Sequence, residues 1–186
     1  MAHIEVDKNL PGIRSLLAFS PATAEPMGIL CNLLLRSSDG LSMADRELIA
    51  THVSYLNDCF YCHQSHGEIA ACYLGGDREI VDKVKADYLS APVPEKLKAL
   101  LSIAASVQKG GKHVRADQVD YAKATGATDQ DIHDTVLIAA AFCMFNRYVD
   151  GLAAYTPADL STYPARAKQI AANGYGNHVF SENQPV

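Results

Sequence analysis

Apolar residues recur at the three- and four-residue spacing of amphipathic helices along nearly the whole chain. Stretches rich in Val, Ile and Thr with strict alternation, which are typical of strands, are missing. The pattern therefore predicts an all-α protein. Over the first forty residues it predicts one or two helices, which end at the polar, glycine-containing segment 37–40.

Capping and helix-breaking residues indicate where the later helices begin and end. Ser42 with Asp45, and Thr128 with Asp131, have the spacing of a capping box at a helix N-terminus. Glycines and prolines interrupt the apolar pattern between helices. The helices predicted after residue 40 cover about 42–57, 58–75, 77–88, 95–109, 116–125 and 128–152.

The last of these helices contains the longest apolar run of the chain, Val136 to Phe145. This run is well short of the ~18 apolar residues that indicate a membrane span. A helix that is apolar on all sides must be covered on every face, so we expect it to be fully enclosed. A subunit interface is one ordinary way to cover it, and we therefore predict a homo-oligomer.

Composition and charge narrow the class of protein. A hydrophobic content of 48% is enough for one domain with a substantial core. With 16 basic and 21 acidic side chains the net charge is −5, which argues against binding to nucleic acid or to an anionic membrane. The apolar stretch 13–19 is too short for a secretion signal, so we expect a cytoplasmic protein.

The pattern divides the chain into three segments. We predict an N-terminal helical extension over residues 1–40 and a helical domain over residues 41–165 that carries the active site. Periodicity is lost towards the end of the chain, where Asn and Gly are frequent. We therefore predict a flexible C-terminal tail over residues 166–186.

The sequence Cys-x-x-Cys-x-x-x-His carries the candidate chemistry. On an ideal helix Cys59, Cys62 and His66 fall within about 60° of one face. His63 borders this face, and Tyr61 points to the other side. The other cysteines, at positions 31, 72 and 143, are expected to be buried apolar residues without a function.

Two thiols and an imidazole on one face suit dithiol redox chemistry. One thiol attacks an oxidant as the thiolate, and its neighbour condenses with the resulting sulfenic acid to form a disulfide. By helix spacing alone, His66 is the natural base for Cys62. The same side chains are also zinc ligands, although structural zinc normally takes its ligands from two separated pairs and the chain has no second Cys-x-x-Cys.

Glu47 is the fourth candidate, and its position leaves two interpretations open. It lies opposite the apolar stripe of its predicted helix, beside Met43, Ala50 and Ser54. The pattern alone favours a solvated carboxylate. A face of small residues can also pack closely on the next helix, which would bring the carboxylate towards the cysteines.

The spacing of Glu47, Cys59, Cys62 and His66 resembles the signature of the alkylhydroperoxidase D (AhpD) and carboxymuconolactone decarboxylase superfamily. The Asn146-Arg147 pair, the chain length and the capped helix before the motif resemble its uncharacterised peroxidase-related branch. The resemblance covers most of residues 40 to 160. It implies an AhpD-like helical fold, assembly into trimers or hexamers, and no metal or organic cofactor.

The resemblance also implies a role for each residue. Cys62 would attack the peroxide, Cys59 would be the resolving thiol, His66 the proton relay and Glu47 the terminal base. The substrate would be hydrogen peroxide or a small organic hydroperoxide. An external thiol or dithiol, such as a lipoyl or thioredoxin-like donor, would reduce the disulfide.

This sequence departs from the family pattern at one position, and it leaves other functions open. Well-known members have a histidine between the two cysteines, where this chain has Tyr61; His63 is the nearest substitute. Decarboxylation or lactone processing is the alternative within the superfamily, but members with that activity typically lack the Cys-x-x-Cys pair. A redox sensor without turnover is a third alternative.

Overall fold

The computed structural model describes residues 2–175, and these residues form nine α-helices and no strand. This confirms the predicted all-α fold. In chain order the helices are α1 (Ile13–Phe19), α2 (Pro21–Leu35), α3 (Met43–Leu56), α4 (Phe60–Tyr73), α5 (Arg78–Asp87), α6 (Glu95–Lys109), α7 (Ala116–Ala124), α8 (Asp129–Gly151) and α9 (Tyr163–Asn173).

Side-chain caps begin two of the central helices where the sequence predicts them. The hydroxyl of Ser42 accepts a hydrogen bond from the Asp45 amide at 3.1 Å, at the start of α3. At the start of α8, the side chains of Thr128 and Asp131 each accept a hydrogen bond from the other residue's amide at 3.0 Å. The caps satisfy amides that have no partner within the helix.

Helix α3 lies at the centre of the fold and packs against α4, α6 and α8. Its residues Leu48, Ile49 and Val53 are buried in one continuous apolar core. From α8, Ile138 and Phe142 enter the same core. The packing of α3 on α4 brings Glu47 of α3 close to His66 of α4.

A buried arginine joins the N-terminal helices to this core. Arg46 is almost completely buried and donates to the backbone carbonyls of Leu34, Asp39 and Leu41 at 2.6 to 3.1 Å. It also forms an ion pair with Asp134 of α8 at 2.7 Å. The connection between α2 and α3 is therefore held to α8 by one side chain.

The end of the described chain differs from the prediction. Residues of the predicted tail 166–186 continue helix α9, so a flexible tail from residue 166 is wrong as far as Asn173. Tyr163, Ala167 and Ile170 repeat at helical spacing and are buried, and α9 packs on α4. The sequence contains this helical spacing, and it could have predicted α9. The segment 176–186 lies outside the described residues.

Helix α8 is not fully covered within a single chain, so the predicted enclosure would need a subunit interface. Leu137 is 40% exposed and Met144 is 47% exposed, and Ala140 between them is also exposed. These residues lie on one face of the helix. Within residues 2–175, no helix is long and apolar enough to cross a membrane.

Candidate active site

A cavity of about 150 Å³ lies among helices α1, α2, α4, α8 and α9. Most of its lining is apolar and includes Leu17, Phe142 and Phe145. Cys62 and His66 line it from α4, as the spacing of four residues on one helix predicts. The cavity therefore brings a thiol and an imidazole to one apolar surface.

The two cysteines of the motif differ in their access to this cavity. Cys59 is the N-cap residue of α4 and is completely buried, whereas Cys62 lies in the first turn and lines the cavity. Hydrogen bonding with the Cys62 side chain and burial raise the pKa of Cys59. The helix N-terminus favours negative charge in its first turn. The pair thus holds a protonated inner thiol next to an outer thiol that faces the cavity.

Glu47 binds the far side of the His66 ring. The carboxylate is completely buried, and its Oε2 lies 2.8 Å from Nδ1 of His66. The ring of Phe142 meets the imidazole edge to face, with 4.6 Å between ring centroids. If Nδ1 carries the proton and donates it to Glu47, Nε2 is left as a proton acceptor.

The burial of Glu47 decides between the two interpretations of its helix face. The small residues Ala50 and Ser54 on that face are completely buried, and α3 packs on both α4 and α8. The solvated carboxylate that the pattern alone favoured is wrong. Close packing of the small-residue face brings Glu47 to His66.

Tyr175 is a further site residue, and the sequence pattern does not reveal it. Its hydroxyl donates a hydrogen bond to Oε1 of Glu47 at 2.5 Å and lies 3.2 Å from Nδ1 of His66. Burial and the Glu47 charge raise the pKa of Tyr175 well above its usual value. The Tyr175 amide donates to Oδ1 of Asn32 at 2.8 Å, so α2 fixes its position. Tyr175 lies in a segment without periodicity, where no signal pointed to it.

The side chains that flank the second cysteine are placed opposite to the helical-wheel expectation. Tyr61 lines the cavity and packs against Gly12, where an added Cβ atom would lie 2.2 Å from the ring. His63 instead lies between the rings of Tyr55 and Phe60. The helical-wheel expectation treated Cys59 as part of the helix, but Cys59 precedes the first helical residue of α4. His63 therefore does not replace the missing histidine in the cavity.

Cys31 packs against the apolar core and also reaches the cavity. It is only partly exposed, as expected for a core cysteine, but it lines the cavity together with Cys62. Burial, and then the charges of Glu47 and Cys62, raise its pKa to about 12. Cys31 is thus a protonated thiol in the wall of the cavity.

The Asn146-Arg147 pair, which carries part of the resemblance, has structural contacts in the described chain. Asn146 is buried and joins α8 to the end of α3, accepting from Asn57 at 2.8 Å and donating to Ser54 at 3.0 Å. Arg147 donates to the carbonyl of Cys143 at 2.8 Å and is otherwise exposed. Neither residue lines the cavity.

The donor atoms do not form a metal site among residues 2–175. No group of three or more His, Cys, Asp and Glu side chains there is arranged to hold a metal ion. Nδ1 of His66 faces the Glu47 carboxylate and lies beside the Tyr175 hydroxyl. The described part of the chain therefore offers no set of ligands for the zinc site that was considered as an alternative.

Comparison with known proteins agrees with the motif. A profile of the carboxymuconolactone decarboxylase family matches residues 21–85, which include Glu47, Cys59, Cys62 and His66. No curated protein matches the chain.

Two solved structures share its fold and are similar in sequence. One is an alkylhydroperoxidase AhpD core, an uncharacterised peroxidase-related protein from Ralstonia eutropha JMP134, with 27% identity and a TM-score of 0.74 over 81% of this chain and 79% of that one. The other is an uncharacterised peroxidase-related protein from Silicibacter sp. TM1040, with 27% identity and a TM-score of 0.73 over 83% of this chain and 78% of that one.

Proposed function

We propose that this chain is a thiol-dependent peroxidase of the AhpD-like carboxymuconolactone decarboxylase superfamily. Its substrates are hydrogen peroxide or small organic hydroperoxides. One observation carries the proposal: Cys62 and His66 line the same cavity, and Glu47 is hydrogen-bonded to the other side of the His66 ring.

The first step removes the proton of Cys62. Among the described residues, no hydrogen bond joins the thiol directly to His66, so we assign the transfer to a bridging water in the cavity. Nε2 of His66 accepts the proton, and the Glu47 carboxylate stabilises the resulting imidazolium through Nδ1. The Cys62 thiolate then faces the cavity in the first turn of α4.

The second step reduces the peroxide. The Cys62 thiolate attacks one peroxide oxygen, an S–O bond forms, and the O–O bond breaks. The leaving alkoxide or hydroxide takes the proton from His66 and departs as alcohol or water. Cys62 is oxidised to a sulfenic acid in this step.

The remaining steps restore the dithiol. The Cys59 thiol attacks the Cys62 sulfenic acid, an S–S bond forms and water leaves. An external thiol or dithiol donor, such as a lipoyl or thioredoxin-like group, then reduces the disulfide by exchange and is itself oxidised. Cys59 is suited to the resolving role because it is buried next to Cys62 and does not face the cavity.

Thiol titration with one equivalent of peroxide tests the proposal. We expect the reduced protein to lose two thiols, mass spectrometry to locate a Cys59–Cys62 disulfide, and dithiothreitol to support continued peroxide consumption. Oxidation without turnover would instead indicate a redox sensor. No oxidation at all would reject the peroxidase and leave the decarboxylase alternative, which predicts release of carbon dioxide from a carboxylated lactone without any thiol.

A further inference from the structure

The cavity carries positive charge that the proposed peroxidase chemistry does not use. Arg14 lines it from α1, and Arg166 lines it from α9. Both side chains are half-buried, whereas Cys62 is buried at 4% exposure. The two guanidinium groups therefore lie nearer to solvent than the thiol.

These two arginines differ from the others in their bonding. Each of the remaining arginines binds a carboxylate or a backbone carbonyl; they are Arg36, Arg46, Arg78, Arg115 and Arg147. Among residues 2–175, the guanidinium of Arg14 has no hydrogen-bond or ion-pair partner. Within the described part of the chain, the guanidinium of Arg166 reaches only the Gln169 side-chain oxygen, at 3.4 Å, and meets no carboxylate.

The placement of these two charges close to each other is unfavourable. Burial and the nearby charge of Arg14 lower the pKa of Arg166. Like charges in a partly desolvated site repel each other, and an anion between them would remove that cost. Guanidinium groups bind carboxylates through paired, charge-assisted hydrogen bonds.

We propose that Arg14 and Arg166 bind the carboxylate of an organic hydroperoxide whose apolar part fills the cavity and whose peroxide group reaches Cys62. The inference rests on the proposed peroxidase function and names its substrate class. Apolar side chains such as Leu17, Phe142 and Ile170 line the same cavity as the two arginines and Cys62. The cavity thus matches a molecule that is anionic at one end and apolar along its body.

Matched hydroperoxides test this assignment. Cumene hydroperoxide and its para-carboxylated derivative have the same apolar body and the same reacting group. We expect kcat/KM of the wild-type protein to be about tenfold or more higher for the carboxylated probe, mainly through KM. The preference should decline at high salt, because the arginines are partly exposed to solvent.

Arginine variants locate the source of the preference. In Arg14→Gln and Arg166→Gln the ratio of the two kcat/KM values should fall, and in the double variant it should approach one. Arg115→Gln, which removes a surface arginine outside the cavity, should keep the wild-type ratio. A ratio near one in the wild-type protein would overturn the assignment without any variant, even if both peroxides are consumed.

A binding measurement separates this inference from the peroxidase proposal. Para-isopropylbenzoate has the carboxylate and the apolar body but no peroxide, and cumene is its neutral match. Calorimetry should detect binding of para-isopropylbenzoate by the wild-type protein and a loss of at least tenfold in the double variant. Binding without peroxide turnover would keep the anion site and reject the peroxidase. Equal or absent binding of both compounds would reject the anion site.

Discussion

The hydroxyl of Tyr175 donates a hydrogen bond to Oε1 of Glu47, the carboxylate whose other oxygen lies 2.8 Å from His66. Tyr175, at the end of the described chain, thus completes the hydrogen bonding of Glu47. This carboxylate is completely buried and belongs to the central helix α3. Both oxygens of Glu47 have a partner. The ionised carboxylate that the proposed relay requires is stabilised on both sides.

Tyr175→Phe removes one of these two partners without removing the ring. We expect the free energy of unfolding to fall by about 1 to 3 kcal/mol, because a buried carboxylate oxygen loses its donor. The second-order rate of Cys62 oxidation should also fall, because Glu47 loses one of the two hydrogen bonds that hold it against His66. Urea unfolding and stopped-flow kinetics measure the two effects. Tyr155→Phe, at an exposed tyrosine, should change neither.

Glu47→Gln tests the relay at its terminal base. The amide nitrogen of glutamine can donate to Nδ1 of His66, which leaves the proton on Nε2 and prevents that nitrogen from accepting one. We expect the second-order rate of Cys62 oxidation to fall by about a hundredfold, with little change in the folded structure. Glu68→Gln, which affects a partly exposed ion pair with Arg78, is the control. An unchanged pH–rate profile in Glu47→Gln would remove this residue from the mechanism.

Serine variants separate the roles of the two cysteines. Cys62→Ser should abolish peroxide consumption, because the thiol that faces the cavity is lost. Cys59→Ser should still allow one oxidation and leave a sulfenic acid at Cys62, which dimedone traps for mass spectrometry. Cys72→Ser removes a cysteine outside the cavity and should keep full activity. Trapped sulfenic acid at Cys59 in the Cys62→Ser protein would reverse the assignment.

Local signals in the sequence were sufficient for the helices of the central region but only partly for the site. Helix period and capping residues such as Ser42 and Thr128 act within a few neighbours, so they predict the helices of the central region. The position of Glu47 depends on how α3 packs against α4, and a single helix pattern does not contain that information. Tyr175 reaches the site through tertiary contacts alone, such as the bond from its amide to Asn32.

A buried histidine should make the protein sensitive to acid. Burial lowers the pKa of His52 from 6.5 to about 4, and neither ring nitrogen has a hydrogen-bond partner among the described residues. Between these two values the unfolded chain binds a proton that the folded chain excludes. Stability is therefore fully present above pH 6.5 and falls as the pH drops towards 4, by up to about 3 kcal/mol from this group.

His52→Leu removes this proton uptake. We expect the loss of stability between pH 6.5 and pH 4 to become smaller in the variant, as measured by urea unfolding across the range. Burial also lowers the pKa of His63 to about 4, so this residue also destabilises the folded protein as the pH falls. His63 remains in the variant, and part of the pH dependence should therefore remain. His113→Leu, at an exposed position, should keep the wild-type dependence. An identical pH dependence in His52→Leu and the wild-type protein would contradict this explanation.

The exposed face of α8 predicts that the protein is a homo-oligomer. Leu137, Ala140 and Met144 follow each other at helical spacing and remain exposed in the single chain. The end of α3 meets α8 through the hydrogen bond from Asn57 to Asn146, next to the exposed Leu56. Contiguous apolar surface of this kind on soluble proteins commonly marks an interface.

Closed symmetric assembly would cover this face, and the family resemblance favours a trimer or a dimer of trimers. We expect light scattering at micromolar concentration to give a multiple of the mass of one chain. Leu137→Glu combined with Met144→Glu should lower that mass, because two charges would have to be buried in the interface. Leu89→Glu introduces a charge at an exposed leucine elsewhere and should leave the assembly intact. The mass of a single chain for the wild-type protein would contradict the prediction and would mean that the apolar face of α8 remains open to solvent.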